Sequence, residues 1–447
     1  MSATAVDAGV LSRLEERFER AVVTWVDQHG YPVNVPTSFS VEPSTGRIVL
    51  GDADAAGPPV DGAEVLVTFS HVRPQPGIGY DERRYVNVRG AVTREGGTLS
   101  VEVGSITGWD EERTPFFEYC ERNTQRGLDY LARLSDEQGR EVRPRLSAGW
   151  KFFSATRVPF LSATLVPVWL GALVARADGF SAWWLVMAAF LGAACIHLGL
   201  NVVNDLFDAK SGADEANVTP TPFSGGSRVM QHGIATPAYM WGLAAAFFGA
   251  GVAIGVALAA TRGIEILWLG LAGVFLSIFY TAPPFKLAYR GLGDVAVAAG
   301  FGPIMVLGTY FVVAQRFTLE VLWASLPVAL LVMLILYVNQ IPDRVADAAA
   351  GKRTVAVRFS RSAILAGYAG FAYGAFALIA AGVVFGVLTP WALVALVPSA
   401  AVPRIHRGLR DSYDSPYGLM GAMGFNIALH ALTGLLLIVA YILDLSV

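Results

Sequence analysis

The chain has 447 residues, a formal net charge of −3 and 54% apolar residues. Residues 1–150 contain 16 Lys/Arg and 23 Asp/Glu, whereas residues 151–447 contain only 17 and 13. The first segment therefore has the composition of a soluble domain and the second that of a polytopic membrane domain. A nucleic-acid-binding protein is excluded because no basic face is evident. A disulfide framework is excluded because there are only two cysteines, one in each segment.

The first 105 residues are predicted to form a small β-barrel. Residues 1–10 lack a basic stretch followed by an apolar run, so they are not a signal peptide and this segment is expected in the cytoplasm. Six short runs rich in β-branched residues are separated by Gly- and Pro-containing turns, which is typical of such barrels. The runs are Ala21–Val26, Tyr31–Val41, Arg47–Leu50, Val65–Phe69, Tyr85–Thr93 and Leu99–Val103.

Two segments of helical spacing flank these strands, Val10–Ala21 before them and Thr114–Leu134 after them. The polar stretch Ser135–Leu146, with Gly and Pro, indicates a linker. The predicted organisation is a soluble domain at 1–134, a linker at 135–150 and a membrane domain at 151–447.

The soluble segment resembles the pyridoxamine-phosphate-oxidase-like split barrels. The resemblance depends on Val23-Thr-Trp25, a Gly turn, Pro32-Val-Asn-Val-Pro36 and a later Val88-Arg-Gly-Ala-Val92 strand. It implies an α+β split barrel, a homodimer formed through this domain, and FMN or another flavin, or haem, as cofactor. No Lys or Arg occurs between Arg47 and Arg73 to meet a flavin phosphate. A cofactor-free regulatory or dimerising module is therefore the alternative.

Nine apolar stretches after residue 150 are predicted to cross a bilayer. They are 156–175, 181–203, 237–260, 264–282, 292–314, 319–341, 362–388, 390–404 and 419–443. The eighth stretch is short and is interrupted by proline. The predicted fold is thus multidomain, a small β-barrel followed by an all-α bundle of about nine transmembrane helices.

The distribution of basic residues predicts the orientation of these spans. With the N-terminus inside, four cytoplasmic loops hold twelve Lys/Arg, whereas the external loops hold only Arg176, Arg262 and Arg316. The excess of 29 arginines over four lysines suggests a GC-rich bacterial genome. We expect a multi-pass protein of the bacterial inner membrane, with the N-terminal domain and the loops that contain aspartates in the cytoplasm.

Two related aspartate motifs lie 135 positions apart at the predicted cytoplasmic ends of spans. They read Asn204-Asp205-x-x-Asp208 and Asn339-x-x-x-Asp343-x-x-x-Asp347. Carboxylates three or four residues apart share one helix face, and such pairs with substrate phosphates are the usual Mg²⁺ ligands. Asn204 and Asn339 can add a carbonyl ligand. Solvated helix caps are the alternative for one motif, but the duplication favours a site.

Basic residues among glycines and carboxylates lie between and after these motifs. Arg228 follows Gly225-Gly226, Lys286 and Arg290 lie in the segment Tyr280–Asp294, and Lys352 and Arg353 follow the second motif. Cations at these positions can stabilise a departing diphosphate. The alternative is topology signalling, which we prefer for Arg404, Arg407 and Arg410.

Residues 150–447 resemble the UbiA superfamily of intramembrane prenyltransferases, most closely its 1,4-dihydroxy-2-naphthoate polyprenyltransferase branch. The matching segments follow the family order. They are Lys151–Gly171 with Arg157, the motif Asn204–Asp214, the loops Thr221–Arg228 and Tyr280–Gly293, and the motif Asn339–Thr354.

The resemblance implies Mg²⁺-dependent transfer of a prenyl group from a polyprenyl diphosphate to an aromatic acceptor. With 1,4-dihydroxy-2-naphthoate the transfer includes loss of carbon dioxide, a step of menaquinone biosynthesis. The implied metal ligands are Asp205, Asp208, Asp343, Asp347, Asn204 and Asn339. The implied diphosphate ligands are Arg157, Arg228, Lys286, Arg290, Lys352 and Arg353. Tyr280 is expected to stabilise the allylic cation with its ring.

Two departures from the family pattern leave the acceptor open. Gln340 stands where the naphthoate branch often has Glu, and Val158 interrupts the Arg-Pro pair. Other aromatic acceptors, terpene cyclisation and, in a different class, a transporter with carboxylates at mid-span are the alternatives. For the barrel, a flavin reductase that keeps a quinone reduced is a further option.

Overall fold

The computed structural model describes residues 8–42, 45–51, 59–75, 79–95 and 98–445. Contacts within the chain separate it into two compact units, residues 1–120 and residues 121–447. The domain limits predicted from the sequence, at residues 134 and 150, stay predictions.

Seven antiparallel strands form one sheet in the first unit. Their bounds are β1 Ala21–Val26, β2 Pro32–Thr37, β3 Phe39–Val41, β4 Ile48–Leu50, β5 Glu64–Gln75, β6 Gly79–Glu95 and β7 Thr98–Asp110. The order across the sheet is β2-β1-β5-β6-β7-β4-β3. Short helices α1 (Ala8–Leu11) and α2 (Leu14–Arg17) precede β1. They replace the single helix predicted over Val10–Ala21, because Ala21 already pairs with Thr37 in the sheet.

The two edge strands of this sheet, β2 and β3, are separated along the chain by Ser38 alone. Seven flat strands spaced by about 4.8 Å would hold the edges nearly 30 Å apart, whereas one residue spans less than about 4 Å. The sheet must therefore curl until its edges meet at Ser38. This curled sheet fits the predicted split barrel. All six predicted runs form strands, with the run Tyr31–Val41 divided at Ser38.

Alternate strand positions supply the barrel interior. Val23, Val67 and Phe69 are fully buried, and Phe18 and Phe39 pack their rings against Phe69 at centroid distances of 5.9 and 4.6 Å. This period of two is what the β-branched runs predicted. After the sheet comes the long helix α3 (Phe116–Gln138), in place of the predicted helix Thr114–Leu134.

The second unit is helical. Its α-helices are α4 Ala148–Thr156, α5 Ser162–Ala177, α6 Trp183–Ser211, α7 Ala213–Ala216, α8 Pro237–Arg262, α9 Ile264–Phe279, α10 Gly293–Ala299, α11 Met305–Ala314, α12 Leu319–Ala349, α13 Val355–Arg358, α14 Arg361–Val384, α15 Val402–Asp411 and α16 Met420–Asp444. A π-helix, Gly300–Ile304, joins α10 to α11, and a 3₁₀ helix, Pro390–Ala401, precedes α15. Threonine or serine caps the long helices α8, α12 and α14 through Thr236, Thr318 and Ser360.

Seven of the nine predicted spans are long, apolar helices in the described chain, by length and composition. The other two differ. The fourth, α9, has only 16 residues, and the eighth is the 3₁₀ helix followed by α15. The 3₁₀ form arises in a segment with Pro390 and Pro398, which lack the amide hydrogen that an α-helix needs.

The fourth span nevertheless reaches from one end of the segment α10–α11 to the other, and the eighth begins beside one end of α16. Arg262, the last residue of α8, donates to the Val312 carbonyl near one end of α11 at 2.8 Å, while Tyr280, directly after α9, lies beside Gly293 at the start of α10. Thr389 donates to Asp444 at 2.6 Å at one end of α16. Twelve residues of 3₁₀ helix rise about 24 Å, as far as 16 residues of α-helix. The side of the membrane on which each loop lies stays a prediction.

Small residues allow close approach of these helices. A Cβ added to Gly171 in α5 would lie 2.4 Å from the Val306 carbonyl oxygen of α11. One added to Gly302 in the π-helix would lie 2.3 Å from the Ala329 side chain of α12. Close packing of this kind stabilises helix association in a bilayer, because lipid is as apolar as the side chains and burying them between helices contributes little free energy.

Candidate active site

Four aspartates lie near the ends of the two longest helices. Asp205 and Asp208 are within the last two turns of α6, and Asp343 and Asp347 within the last two turns of α12. Spacings of three and four residues place each pair on one helix face. The side chains of Asp205, Asp208 and Asp347 are buried. Burial argues against the alternative of solvated helix caps, because a carboxylate that only caps a helix would face water.

Lys352 joins the two motifs. Its Nζ lies 2.9 Å from Asp208 Oδ2 and 3.6 Å from Asp347 Oδ1. Burial by itself lowers the pKa of an ammonium group, but the charges of Asp208 and Asp347 outweigh it, and the pKa of Lys352 is raised well above its ordinary value. The site therefore holds a lysine ammonium group between carboxylates from both helices.

The loop of residues 217–228 binds both motifs with its polar groups. The Gly225 amide donates to Asp343 Oδ2 at 3.0 Å, and Asn217 Nδ2 donates to Asp343 Oδ1 at 2.9 Å. The Ser227 amide donates to Asp205 Oδ2 at 3.2 Å. Gly225 and Gly226 have φ of +80° and +79°, a conformation that glycine adopts without strain. The Gly-Gly pair of the sequence thus turns the backbone so that its amides face the aspartates.

Arg157 and Tyr289 complete the contacts to the first motif. Arg157, at the C-terminal end of α4, forms an ion pair with Asp205, so the inserted Val158 does not prevent this contact. Tyr289 donates to Asp208 Oδ1 at 2.9 Å and lies 2.5 Å from the Ser211 hydroxyl. Burial and the nearby Asp208 charge raise the pKa of Tyr289, so its hydroxyl stays protonated and can donate.

The remaining predicted diphosphate ligands are not gathered around the aspartates. Arg228 is buried and directed to Glu121 and to the Asp214 carbonyl. Lys286 Nζ lies 5.2 Å from the centre of the Tyr289 ring. Arg290 and Arg353 are exposed. Of the predicted basic set, only Arg157 and Lys352 contact the aspartates directly in this arrangement.

The two predicted asparagine ligands differ in their surroundings. Asn339 donates to the Phe223 carbonyl at 2.9 Å and so holds the loop 217–228. Asn204 Oδ1 is buried and has no hydrogen-bond partner within the described residues. It is an acceptor that a metal ion or a metal-bound water can use.

The donor set fits magnesium. No three His, Cys, Asp or Glu side chains in the described part of the chain are close enough to share one ion. Mg²⁺ does not need such a cage, because it is usually bound by one or two carboxylates together with waters and substrate phosphates. Aspartate pairs on two helix ends, with the partnerless Asn204 oxygen beside them, satisfy that requirement.

An apolar, partly open cavity lies between α6, α8, α9 and the segment α10–α11. Its lining runs along α9 from Tyr280 to Ile266, roughly 20 Å of helix. Its polar lining residues are His197, Ser277, Tyr280 and Thr309. Tyr280 lies at the end nearest the aspartates, because its carbonyl accepts from the Ala288 amide at 2.9 Å and the next residue, Tyr289, donates to Asp208.

Several residues of the site escaped the sequence analysis. Asn217, Ser227 and Tyr289 contact the aspartates. Gln340, which the sequence marks only as a departure from the family pattern, donates to both Asp294 oxygens at 3.1 Å and accepts from the Val355 amide. Tyr289 and Asp294 lie within the segment Tyr280–Asp294, which contains two of the predicted diphosphate ligands, but their spacing in the sequence does not indicate which residues they contact. Asp214 was part of the first motif; burial and the charges of Asp205 and Asp208 raise its pKa to about 8.

The described residues of the first unit give the flavin option no support. Arg73 pairs with Asp81 and Glu82, and Arg83 pairs with Glu111. Guanidinium groups held by carboxylates are not available to a flavin phosphate.

Comparison with known proteins identifies the family of the membrane unit. The model of the UbiA prenyltransferase family matches residues 164–427. The chain is 25% identical over 308 residues to 1,4-dihydroxy-2-naphthoate octaprenyltransferase of Bacillus subtilis, covering 69% of this chain and 97% of that protein. It is 30% identical over 242 residues to the enzyme of the same name from Mycobacterium tuberculosis, covering 54% and 76%.

Solved structures include similar chains. A UbiA homolog from Archaeoglobus fulgidus bound to GPP and Mg²⁺ is 17% identical, with a TM-score of 0.47 over 65% of this chain and 99% of that one. The apo structure of a UbiA homolog from Aeropyrum pernix K1 is 18% identical, with a TM-score of 0.48 over 63% and 98%. The family match and the similarity to the two naphthoate octaprenyltransferases show that the chain belongs to the UbiA prenyltransferase family and is a prenyltransferase.

Proposed function

We propose that the protein transfers a polyprenyl group from its diphosphate to 1,4-dihydroxy-2-naphthoate with the help of Mg²⁺. One observation carries the proposal: one aspartate from each motif, Asp208 of α6 and Asp347 of α12, contacts a common cation, Lys352, next to the Tyr280 end of a long apolar cavity. Charged groups suited to a diphosphate and an apolar space suited to an isoprenoid are therefore adjacent.

The first step is ionisation of the donor. The bond between the allylic carbon and the diphosphate oxygen breaks, and both electrons leave with the diphosphate. Bound Mg²⁺ would neutralise the charge that develops on the leaving group. Lys352 and Arg157 add positive charge at that position, and the amides of Gly225 and Ser227 keep Asp343 and Asp205 in place. Groups fixed beforehand stabilise developing charge without reorganisation.

The second step is attack by the acceptor ring. An electron pair of the naphthoate ring forms the new carbon–carbon bond at the carbon that bears the carboxylate. Loss of carbon dioxide returns an electron pair to the ring, so no oxidant is needed. The Tyr280 ring, at the junction of site and cavity, can stabilise the allylic cation between the two steps.

The acceptor is inferred from the relatives. The Bacillus subtilis and Mycobacterium tuberculosis proteins are named for 1,4-dihydroxy-2-naphthoate, and a similar Synechocystis protein is named 2-carboxy-1,4-naphthoquinone phytyltransferase. All three names specify a bicyclic aromatic ring with a carboxylate and a polyprenyl or phytyl donor. The positive-inside pattern supports a cytoplasmic position for the site, where a soluble naphthoate and Mg²⁺ are available.

The position of the carboxylates argues against a transporter. Asp205, Asp208, Asp343 and Asp347 lie at helix ends, whereas ion-coupled transporters place such groups near the bilayer midplane.

The test is prenyl transfer in membranes that contain the full-length protein. Labelled geranylgeranyl diphosphate and longer donors are supplied with 1,4-dihydroxy-2-naphthoate, with and without Mg²⁺, to the wild type and to Asp208→Asn and Asp343→Asn. Asp411→Asn, an exposed aspartate at the end of α15, is the matched control. We expect a Mg²⁺-dependent prenylated naphthoate in the wild type and the control only.

Other outcomes overturn parts of the proposal. A prenylated product with a different ring would replace the acceptor, and a cyclic hydrocarbon without any ring acceptor would indicate cyclisation. Donor that is not consumed at any chain length by folded protein would contradict the proposed reaction as a whole.

A further inference from the structure

Glu121, in the second turn of α3, forms a buried ion pair with Arg228 and contacts the more exposed His232, both of which lie between α7 and α8. Its carboxylate accepts from the Arg228 guanidinium, and its Oε2 lies 3.0 Å from His232 Nε2. The side chains of Glu121 and Arg228 are each only 8% exposed. Burial alone would raise the pKa of Glu121, but hydrogen bonds from His232 and Arg228 lower it below its ordinary value. Glu121 is therefore an ionised carboxylate that faces the Arg228 guanidinium.

This ion pair is connected to the aspartates through one short stretch of backbone. Arg228 also donates to the Asp214 carbonyl, so its guanidinium ties α3 to the segment that follows α6. The preceding residue, Ser227, gives its amide to Asp205, and Gly225 gives its amide to Asp343. Arg228, which Glu121 binds, thus lies one position after the amide on Asp205 and three positions after the amide on Asp343.

The loop needs such a tether because its conformation is unusual. Gly225, Gly226 and Arg228 all have positive φ, the last at 60°. Such a value is unfavourable for a residue with a side chain and persists only where surrounding contacts enforce it. The ion pair with Glu121 and the bond to the Asp214 carbonyl are contacts of that kind.

We propose that Glu121 is a positioning residue for prenyl transfer: by holding Arg228 and His232, it fixes the loop 217–228 so that the Gly225 and Ser227 amides orient Asp343 and Asp205. This inference rests on the proposed function for the role of the aspartates. It assigns Arg228 to loop positioning, in place of the direct diphosphate contact that the family resemblance implies. The guanidinium supports this assignment, because both of its terminal nitrogens are engaged within the protein.

The two roles of Arg228 make opposite predictions for Glu121→Ala. If Glu121 positions the loop, its loss disorders the aspartates, so the KM for the donor and the Mg²⁺ concentration for half-maximal rate both rise. If instead Arg228 binds the diphosphate and Glu121 merely neutralises it, loss of Glu121 frees a cation and the KM for the donor falls or stays unchanged.

The experiment uses the full-length protein with geranylgeranyl diphosphate as donor. The variants are Glu121→Ala and Glu121→Gln, with Glu137→Gln, an exposed glutamate of the same helix, as the matched control. For Glu121→Ala we expect both the donor KM and the half-maximal Mg²⁺ concentration to rise about tenfold, the usual effect of losing a hydrogen bond between charged groups. The kcat should change less. Glu121→Gln keeps one acceptor oxygen and should restore part of the affinity.

A second readout does not depend on activity or on metal. Trypsin cleaves after arginine, and Arg228 is buried in the wild type. Glu121→Ala removes the ion pair that holds the loop closed, so local opening of the loop and cleavage after Arg228 should both become about tenfold faster. Glu137→Gln should be cleaved at the rate of the wild type. If Glu121→Ala does not fold, as judged by its melting curve, Glu121→Gln decides both measurements.

The double variant Glu121→Ala/Arg228→Ala separates coupled from independent effects. If Glu121 acts through Arg228, the two losses of affinity are not additive. Additive losses, an unchanged or lower donor KM in Glu121→Ala, or unchanged cleavage after Arg228 would each overturn the proposal. A wild type without Mg²⁺-dependent donor consumption would instead contradict the proposed function, and the cleavage result would still decide whether Glu121 holds the loop.

Discussion

Lys352 Nζ lies 2.9 Å from Asp208 Oδ2, although 144 residues separate the two in the chain. The same ammonium group lies 3.6 Å from Asp347. Lys352 follows α12, and Asp208 lies near the end of α6, so this one cation connects the two halves of the site. Without this cation, the buried carboxylates Asp208 and Asp347 would repel each other with no positive charge between them.

Replacing Lys352 tests its role most directly. Lys352→Ala removes a cation fixed where the diphosphate would leave, and removal of one such group typically lowers the rate by about 100-fold or more. We expect that loss in kcat/KM for the donor. Lys210→Ala, an exposed lysine at the same end of α6, is the control. A Lys352→Ala protein within threefold of the wild type would rule out this role.

Tyr289→Phe removes only the hydroxyl that donates to Asp208. A hydrogen bond to a charged group contributes about 1.5–3 kcal/mol, so kcat/KM should fall about 10- to 100-fold if the bond orients Asp208 for the reaction. Tyr373→Phe, on the exposed side of α14, is the matched control. Equal activity of both variants, measured by donor consumption, would show that Lys352 suffices to hold the Asp208 carboxylate.

Filling the cavity at depth should change the accepted chain length. Gly270 lines the cavity about 15 Å along α9 from Tyr280, and a Cβ added there meets nothing within 4 Å. Gly270→Leu should therefore lower kcat/KM for long donors roughly tenfold or more, as pocket contacts of this size do. Geranyl diphosphate, which ends before that depth, should be affected little.

The control for cavity filling is Gly249→Leu in α8. A Cβ there also meets nothing within 4 Å, but Gly249 does not line the cavity. Equal losses for short and long donors in Gly270→Leu would show that the isoprenoid tail lies elsewhere.

Two glycines with nearly the same φ allow the effect of backbone strain to be distinguished from the effect of a steric contact with Asn217. Gly212 and Gly225 have φ of +79° and +80°, but a Cβ on Gly212 meets nothing, whereas one on Gly225 would lie 2.7 Å from Asn217 Nδ2. Gly212→Ala should cost only the strain of about 1–2 kcal/mol in unfolding free energy.

Gly225→Ala should have the same strain and should also push Asn217 away from Asp343, so that activity falls at least tenfold. Thermal unfolding and donor consumption, measured on both variants, distinguish the two effects. Similar activity of the two variants would show that the Asn217 contact does not matter for the reaction.

The sequence by itself determined the elements of this protein. Apolar length predicted the spans, period-two runs predicted the strands, and the paired Asn/Asp motifs predicted the two helix ends of the candidate site. These features are readable because hydropathy and side-chain spacing are local properties: Asp205 and Asp208 share a helix face whatever lies opposite. The family followed from the same motifs in order, and its match over residues 164–427 confirms it.

Tertiary structure alone decided which side chains meet. Arg228 lies among glycines and resembles a diphosphate ligand, yet it pairs with Glu121, 107 residues earlier, a residue that no motif marks. Lys286, Arg290 and Arg353 carry the same charge as Lys352, but only Lys352 reaches Asp208. Charge pattern is set along the chain, whereas the partner of a charge depends on how α3, α6 and α12 pack, and helix packing brings together residues that no local spacing relates.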